Sequence, residues 1–378
     1  MKARVCYQIN LQESLGGGEI FTRFLTAALH GLGWQSKLFV SPRASFWRKL
    51  GLDAAGLVAV RTLGEIEAQL DDPETKALVV THSVLPPEEA KRFALRSLLT
   101  GFIHMPLYER FPEGLRHYRL LFGVSEHVIA SARSRGLANV YPEPLYGIAD
   151  LAPRGMAGGG ICAASPYDWD RRKLRDRLLG IFAPLASSLA PQHAFAKRPG
   201  LTLGIVSRIT PIKQFPALFA VLAPVLARFP RLNLEIFGSG GYASVRDLKA
   251  ALAPIEGQVR FWGQQDDVAA IYPQLDYVLS GLPEKEALGL NLIEAQCCGT
   301  PVLAVKAPPF TETVIEGETG FFFDDPRSDR GAGFGALIER LLAGRARPRP
   351  ALARAHLEKF SASAFSARIG LAIEAALA

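Results

Sequence analysis

The chain has 378 residues, of which 49% are hydrophobic and 21% are charged. This length exceeds what one hydrophobic core usually supports, so we expect two domains, and the apolar content excludes a disordered chain. The formal net charge of +7 favours an anionic partner, and charge alone leaves open nucleic acid, an acidic saccharide and an anionic membrane face.

The sequence predicts no membrane-spanning segment. Its longest continuous apolar run, residues 217–227, has 11 residues and contains Pro224, whereas a spanning helix needs about 20. The N-terminal residues enter a short strand pattern without the apolar region of a secretory signal, so we expect a cytoplasmic protein. The cysteines lie among apolar or small residues without metal-ligand spacing, which favours reduced packing residues. They are Cys6, Cys162, Cys297 and Cys298.

The first half of the chain alternates short β-type runs with helical patterns. This alternation predicts a parallel sheet covered on both faces, whose ligands lie beyond the carboxyl ends of the strands. The predicted strands are residues 4–9, 36–40, 77–81, 101–104, 120–125 and a short one at Val140, and the predicted helices are residues 18–31, 86–99 and 126–136.

Two features of this half lie directly after predicted strands. Gly16, Gly17 and Gly18 open the first helix, where missing side chains let a ligand approach the backbone, although a plain flexible turn is an open alternative. His82 and His104 each end a strand and therefore face the ligand side of the sheet. For either histidine, a structural and a catalytic role are both open on local grounds.

Residues 151–200 read as an irregular interdomain connection, with a triple glycine at 158–160 and several prolines. Within it, Asp168-Trp169-Asp170 matches the D-x-D pattern with which one class of nucleotide-binding enzymes holds a metal ion. That pattern needs a strand end inside a nucleotide-binding sheet, which this connection does not supply. We therefore expect a helix N-cap at Asp168 or Asp170 and no metal site.

The second half begins with a predicted strand at residues 201–206, followed by Arg208 and Lys213 ahead of a helix that starts near Pro216. Two cations before a helix N-terminus are unfavourable unless an anion lies between them. Further strands are predicted at residues 232–237, 259–262 and 277–280, with glycine turns after the first two of them.

Residues 284–303 read as a loop, a helix of about three turns beginning near Gly289, and a strand. The free N–H groups of the helix point back over Glu286 and form an anion site. Glu286 and Glu294 frame that site, and carboxylates accept hydrogen bonds from hydroxyl groups. The pattern therefore suits a ligand that carries both phosphate and polyol, a sugar nucleotide. A surface helix with two solvated glutamates is the open alternative.

The run Glu286-Ala-Leu-Gly289-Leu-x-x-Ile-Glu294-Ala-x-x-Cys-Gly299-Thr-Pro301-Val resembles the signature of retaining glycosyltransferase family 4. Arg208 and Lys213 resemble the family's G-R-L-x-x-x-K-G element, with Gln214 in place of the last glycine. The resemblance implies an α/β GT-B fold of two Rossmann-like parallel-sheet domains facing across a cleft. The implied division is an acceptor-side domain at 1–150, a connection at 151–200, a nucleotide-sugar domain at 201–350 and helices at 351–378 that return to the first domain.

The resemblance also implies roles for individual residues. The cations and helix N–H groups would stabilise the leaving diphosphate, Glu294 would bind ribose hydroxyls, Glu286 a sugar hydroxyl, and His104 the transferred sugar. The implied catalytic residues are His104, Arg208, Lys213 and Glu286. The implied donor-binding residues are Gly17, Gly18, Gly238, Gly240, Phe261, Trp262, Gly263, Ala287, Leu288, Gly289, Leu290 and Glu294.

The activity implied is a retaining, metal-independent transfer from a nucleotide-diphosphate sugar to a saccharide or lipid-linked acceptor in bacterial surface-glycan assembly, with no cofactor. Open alternatives are a nucleotide-sugar epimerase and a catalytically silent sugar-nucleotide-binding protein. Nucleic acid is not expected, since no nucleic-acid module signature is present. Basic and aromatic residues mix at 43–49 and 108–119, and they form either a patch for acidic lipid at the inner membrane face or a solvated surface.

Overall fold

The computed structural model describes residues 4–52, 55–70, 76–108, 112–153, 160–168, 194–344 and 347–378. The chain divides into two compact units. Unit 1 consists of Met1–Ile148 with Glu358–Ala378, and unit 2 consists of Ala149–Leu357. Each unit contains one six-stranded parallel sheet, as the alternating pattern of the sequence predicts.

The strands of unit 1 are β1 Arg4–Asn10, β2 Trp34–Val40, β3 Ala55–Ala59, β4 Ala77–Thr81, β5 Ser97–Ile103 and β6 Leu120–Gly123. Those of unit 2 are β7 Leu201–Val206, β8 Leu232–Phe237, β9 Val259–Gly263, β10 Tyr277–Leu279, β11 Val302–Val305 and β12 Gly320–Phe323. In both sheets, the strand order places the first strand beside the fourth: β3-β2-β1-β4-β5-β6 and β12-β11-β10-β7-β8-β9. This is the order of a Rossmann-like fold, and its topological switch points lie between β1 and β4 and between β7 and β10.

The α-helices that the structure describes cover both halves of the chain. In order they are α1 Gly17–Gly31, α2 Leu63–Glu67, α3 Pro87–Arg96, α4 Glu126–Ser134, α5 Phe215–Leu226, α6 Tyr242–Ala251, α7 Val268–Ile271, α8 Leu290–Cys297, α9 Phe310–Thr313, α10 Pro326–Asp329, α11 Ala332–Leu342, α12 Arg354–Glu358 and α13 Ala362–Leu377. None of these helices is long and apolar enough to cross a bilayer.

The C-terminal helix α13 packs against α1 in unit 1. Its N-cap Ser361 accepts a hydrogen bond from the Ala364 N–H. The buried Phe365 lies edge-to-face against Phe21 of α1, with 5.3 Å between the ring centroids. The Nε of Arg119 donates to the Ala376 carbonyl near the end of the helix. The helix is thus anchored to unit 1 at both ends.

Several predicted boundaries differ from the structure. The helix predicted at 86–99 ends at Arg96, because Ser97 already pairs with Ala77 in the sheet and its Oγ donates to the Phe93 carbonyl. Val140 forms only an isolated bridge to Leu121. Two short strands, β3 and β12, were not predicted, and both lie at sheet edges. The helix predicted from Gly289 is α8, which has 8 residues rather than about three turns.

Trp47 and Tyr118 of the basic and aromatic segments lie in the interior. Trp47 is 1% exposed and packs among Leu38 and Val40 of β2. Tyr118 is buried, lies within hydrogen-bond distance of the Thr81 hydroxyl, and accepts a hydrogen bond from the Leu85 N–H. The basic side chains around them, including Arg43, are exposed. In the predicted lipid-binding patch the basic side chains are thus available at the surface, whereas the rings of Trp47 and Tyr118 are not.

Candidate functional site

The loop after β7 lies at the switch point of unit 2 and carries Arg208. Its backbone runs beside the end of β8: the Ser207 N–H donates to the Phe237 carbonyl, and the Ile209 N–H donates to the Ser239 carbonyl, at 2.9 and 2.8 Å. Arg208, which lies between these two anchored residues, is exposed. Two fixed neighbours thus hold the backbone of the cation at the carboxyl edge of the sheet.

Glycines after β8 permit this close approach. A Cβ at Gly238 would lie 1.9 Å from the Ser207 carbonyl oxygen, and a Cβ at Gly240 would lie 2.0 Å from that of Ile209. Gly263 has φ +66°, and its Cβ would meet the Ala164 carbonyl oxygen at 2.5 Å. The contacts that the structure shows for these three glycines are therefore with neighbouring backbone, and ligand binding by them stays a prediction.

Lys213 and Glu286 form an ion pair in which the Nζ donates to Oε2. The Lys213 backbone is held against the end of β10, because its carbonyl accepts the Leu282 N–H at 3.4 Å. Gly281 leaves room for that carbonyl, since a Cβ there would lie 2.3 Å from the oxygen. The next residue, Gln214, adopts the left-handed conformation with φ +55° before α5. The structure thus joins a cation after β7 to an acid after β10.

The helix α8 begins beside this ion pair. Its N-cap Gly289 has φ +83°, and a Cβ there would lie 3.1 Å from the Phe310 ring, so the position favours glycine twice over. Leu288 is buried, whereas Ala287 and Leu290 are partly exposed. The Ala287 N–H already lies within 3.2 Å of its acceptor, Oε1 of Glu286. The predicted anion site is therefore the N-terminus of a short helix, with the Glu286 carboxylate directly in front of it.

Glu294 lies one turn inside α8 and is partnered by Tyr272, a residue that the sequence motifs do not include. The Tyr272 hydroxyl donates to Oε2 of Glu294 at 2.8 Å. Burial raises the pKa of Glu294, while the Tyr272 hydrogen bond and the charge of Lys213 act in the opposite direction. Burial also raises the pKa of Tyr272 well above its ordinary value, with the Glu294 charge as a second cause. The tyrosine is thus a hydrogen-bond donor at neutral pH.

A cavity of about 130 Å³ brings Arg208 and Glu294 together. The Nε2 of Gln265 donates to the carbonyls of Cys162 and Trp262, which fixes the amide at the cavity wall. No motif in the sequence indicated Gln264 or Gln265, which follow the motif residues of β9. The lining residues are Val206, Ser207, Arg208, Phe237, Gly238, Gln264, Gln265, Val268, Tyr272 and Glu294.

The side chains of Phe261 and Trp262, the two aromatic residues predicted at the donor site, make other contacts in unit 2, and donor binding through their backbone stays a prediction. Trp262 is 3% exposed, and its Nε1 donates to Oε2 of the fully buried Glu235 at 2.7 Å. Phe261 packs under the Lys249 ammonium, 5.3 Å from the ring centroid. Neither side chain lines the cavity. Asn291, which no motif singled out, instead donates to the Val206 carbonyl at 3.2 Å and ties α8 to the end of β7.

In unit 1 the two predicted histidines meet beyond β4 and β5. The His82 Nδ1 lies 3.4 Å from the His104 Nε2, and the two rings are nearly parallel. Burial lowers the pKa of His104 to about 4. Burial, followed by the charge of His104, lowers the pKa of His82 well below its ordinary value. Both imidazoles are therefore neutral at pH 7.

The glycine loop of unit 1 lies next to His104. The helix α1 begins at Gly17, and a Cβ at Gly18 would be 4.0 Å from Cδ2 of His104, while one at Gly17 would meet nothing within 4 Å. The predicted pair of loop and histidine therefore shares one edge of the unit 1 sheet. A small side chain would be accommodated sterically at either glycine.

Among the residues that the structure describes, no group of three or more His, Cys, Asp or Glu side chains could hold a metal ion. The Asp168 N–H donates to the Gly240 carbonyl at 2.8 Å. Trp169 and Asp170 of the D-x-D match lie outside the described residues, as does most of the stretch predicted as an interdomain connection.

Residues 191–354 match the family model described as glycosyl transferases group 1. The chain is 34% identical over 176 residues to a D-inositol 3-phosphate glycosyltransferase of Rhodococcus erythropolis, covering 43% of this chain and 39% of the relative. It is 30% identical over 194 residues to a phosphatidyl-myo-inositol mannosyltransferase of Mycolicibacterium smegmatis, covering 49% and 46%. The matches thus span less than half the length of these relatives.

The fold of the whole chain resembles that of Anabaena HepE, solved in complex with UDP and glucose. The TM-score is 0.68 over 98% of this chain and 100% of that one, at 16% sequence identity. This likeness confirms the predicted GT-B class with two Rossmann-like domains.

Proposed function

We propose that the chain is a group 1 glycosyltransferase, as the match at residues 191–354 supports, and that it transfers a sugar from a nucleoside-diphosphate sugar to a hydroxyl acceptor with retention of anomeric configuration. The observation that carries this proposal is the cavity at the switch point of unit 2, which an exposed cation, Arg208, and a hydroxyl-accepting carboxylate, Glu294, line together. The Lys213–Glu286 ion pair lies at the same edge of the sheet. Phosphate and polyol would thus find partners in one place.

The diphosphate would be held by Arg208, Lys213 and the N-terminus of α8. An incoming phosphate oxygen would compete with Glu286 for the Lys213 ammonium, and its charge would be favoured by the dipole of the helix. Glu286 would then be released to accept a hydrogen bond from a hydroxyl of the sugar. The two members of this ion pair would in this way bind the two parts of the donor, Lys213 the diphosphate and Glu286 the sugar.

The ribose would be held by Glu294. Tyr272 donates to Oε2, so Oε1 of the same carboxylate is the atom that we expect to accept from the ribose hydroxyls. A carboxylate accepts two or more hydrogen bonds, and such charge-assisted bonds are stronger than neutral ones. Tyr272 would orient the Glu294 carboxylate and still leave it able to accept hydrogen bonds from the ribose.

During departure of the nucleoside diphosphate, negative charge grows on the phosphate that leaves the sugar. The two cations and the α8 N–H groups would stabilise that charge, an effect worth a few kcal/mol for a single fixed donor. We expect transfer to persist in EDTA because these groups supply the positive charge. The leaving phosphate would take the acceptor proton while the new bond forms on the face from which it departs, as the family resemblance implies.

The acceptor and the setting are also part of this proposal. One relative is named for phosphatidyl-myo-inositol, a lipid, and another for inositol 3-phosphate, so we propose a polyol or lipid-linked saccharide acceptor in bacterial surface-glycan assembly. The net charge of +7 would favour acidic lipid at the inner face of the plasma membrane. Co-sedimentation with vesicles that contain anionic lipid, compared with neutral vesicles, tests this association.

Calorimetric titration with UDP, GDP and ADP tests donor binding, because one of the nucleotides should bind the wild type and bind Arg208→Ala at least tenfold more weakly. Arg228→Ala is the matched control, since Arg228 is an exposed arginine that pairs with Glu339 away from the cavity. Equal nucleotide affinity in wild type and Arg208→Ala would refute the placement of the diphosphate.

Turnover separates transfer from its two alternatives. With the bound nucleotide's sugars and a panel of polyol acceptors, the anomeric proton coupling of the product should match that of the donor sugar. Conversion of the donor to an epimeric nucleotide sugar without any acceptor would indicate an epimerase, and binding without hydrolysis or transfer would indicate a silent binding protein. Either outcome contradicts the proposed reaction.

A further inference from the structure

A continuous chain of buried polar groups leads from the helix α1 to His104. Thr26, Gln8 and His82 are at most 6% exposed. They connect as Thr26 to Gln8 at 2.9 Å, Gln8 to His82 at 3.2 Å and His82 to His104 at 3.4 Å. Such a chain has defined directions only if one end is anchored by a group whose role cannot be reversed.

The anchor is the Thr22 carbonyl, which can only accept. The Thr26 hydroxyl donates its single proton to that carbonyl at 2.9 Å. Toward Gln8, the hydroxyl therefore offers a lone pair. The atom of Gln8 that faces Thr26 must then be the amide nitrogen, which also donates to the Ser36 hydroxyl at 3.2 Å. This settles the orientation of the amide, which is otherwise easily inverted in a structure.

The amide orientation in turn decides the proton of His82. With its nitrogen on Thr26 and Ser36, Gln8 turns its Oε1 toward the His82 Nε2. An oxygen acceptor requires that Nε2 carry the proton. In the neutral ring, the His82 Nδ1 is then unprotonated and accepts from the His104 Nε2.

The last step fixes His104. A ring that donates through Nε2 and is neutral keeps its lone pair at Nδ1. Among the residues that the structure describes, none gives this nitrogen a hydrogen-bond partner. The His104 ring is partly exposed, beside Gly18 at the start of α1. Phe102 stacks on both imidazoles, and Phe21 meets the His104 ring edge-to-face, so the rings are held by packing as well.

We propose that His82 is a positioning residue which, through Gln8 and the Thr22 carbonyl, locks His104 as the Nε2–H tautomer and leaves Nδ1 to accept a hydrogen bond from a ligand hydroxyl. The ligand class is a neutral polyol. The neutral His104 ring has no positive charge to attract a phosphate, whereas its Nδ1 lone pair can accept a hydrogen bond from a hydroxyl. The identity of that hydroxyl as one of the transferred sugar rests on the proposed function, whereas the tautomer does not.

The neutral state of both rings agrees with this assignment. Burial lowers the pKa of His104 to about 4, so the Nδ1 lone pair persists at neutral pH. The His82 backbone is fixed too, since its N–H donates to the Ile9 carbonyl at 2.9 Å and extends the pairing of β4 with β1. The hydrogen-bonded series from Thr26 to His104 thus lies at the switch point of the unit 1 sheet.

Nitrogen-15 NMR of the histidine-labelled full-length protein, without ligand, tests the proposal directly. The signals of the two rings are assigned by their loss in His82→Gln and His104→Gln. We expect both rings to show a protonated-type shift at Nε2 and an unprotonated-type shift at Nδ1. A protonated Nδ1 on His104 in the wild type would overturn the proposal, and the variants serve only to assign the signals.

The relay itself is tested by Gln8→Met, which removes the acceptor that fixes His82. We expect mixed tautomers on both histidines and a fall in kcat/KM of about tenfold, with nucleoside-diphosphate affinity unchanged. A gentler pair is Thr26→Val, which removes the anchoring hydroxyl, and Thr26→Ser, which keeps it and should restore the wild-type tautomers.

The matched control is Thr100→Val in β5. This variant also loses a buried hydrogen bond, to the Val79 carbonyl, but Thr100 is not one of the hydrogen-bonded groups that lead from Thr26 to His104. Its histidines should keep the wild-type tautomers. Wild-type tautomers in Gln8→Met, or mixed tautomers in Thr100→Val, would overturn the role of the relay. An enzyme with the expected spectra but without transferase activity would refute the proposed function and leave the tautomer standing.

Discussion

The two units place polar groups at the same point of the same topology, but the groups differ in kind. At the switch point of unit 1, His82 and His104 are neutral and belong to a chain of directed hydrogen bonds. At that of unit 2, Lys213 and Glu286 form an ion pair, and Arg208 lines the adjoining cavity. We therefore expect the strand order to fix where a ligand binds and the side chains to decide whether a charged or a neutral part of it is recognised.

Removing a charge from unit 2 should give the largest effect. In Lys213→Met, a cation at the diphosphate is lost and Glu286 loses its partner, so we expect kcat/KM to fall by roughly a hundredfold to a thousandfold. Steady-state kinetics with a saturating acceptor provide the measurement. Lys197→Met is the matched control, because Lys197 also pairs with an acid, Asp276 at 2.8 Å, but takes no part in the Lys213–Glu286 pair. A loss of equal size in the control would show that the effect does not come from the cation of that pair.

A change at Glu294 should have a smaller effect. Glu294→Gln keeps the shape of the side chain but loses a charged acceptor, and we expect nucleoside-diphosphate affinity to weaken about 10- to 100-fold, as for hydrogen bonds to charged groups. Calorimetry compares it with Glu339→Gln, a glutamate on the outer surface of unit 2. Unchanged affinity in Glu294→Gln would show that ribose is bound elsewhere.

Acidification should affect unit 2 before unit 1. The pKa of Glu294 is raised by burial, so this carboxylate loses its charge at a higher pH than an ordinary glutamate. Affinity for a nucleotide sugar, whose diphosphate diester does not titrate in this range, should therefore begin to fall on acidification at a higher pH than the titration of an ordinary glutamate would give. His104, with a pKa of about 4, stays neutral over that window. The Glu294→Gln variant should lack this fall, and a fall of the same size in the variant would assign it to another group.

Relief of backbone strain should give the smallest effect. Gln214 holds the left-handed conformation with φ +55°, which costs a non-glycine residue about 1 kcal/mol. Its side chain gives back only an exposed hydrogen bond to Glu284 at 3.0 Å. We expect Gln214→Gly to raise the free energy of unfolding by up to about 1 kcal/mol in urea titrations. A lower stability would show that the flexibility of the unfolded glycine chain outweighs the relief of strain.

The sequence supports the fold class well because strands such as β7 and β8 are short apolar runs between helical patterns, the signature of a buried parallel strand. It fails at β3 and β12, whose edge positions depend on neighbours far away in the chain. It also fails at the junction of α3 and β5, where Ser97 pairs in the sheet directly after the helix, leaving no loop signal.

The candidate site is only partly visible in the sequence. Glu286 and Glu294 were found because they stand at fixed spacing around a helix start. Tyr272 and Gln265 were missed because each enters the cavity from another segment, without a motif of its own. The side chain of Trp262 is held in the core by Glu235, a contact that no local pattern reveals, while donor binding through the backbone of Trp262 stays a prediction.

A crystal structure of the protein with the nucleoside diphosphate that binds most tightly tests the central claim most directly. We expect the phosphates between Arg208, Lys213 and the N-terminus of α8, with the ribose hydroxyls on Glu294 and the Tyr272 hydrogen bond to the same carboxylate preserved. A nucleotide bound away from the switch point between β7 and β10, or an intact Lys213–Glu286 pair that leaves the phosphates without a cation, would contradict it.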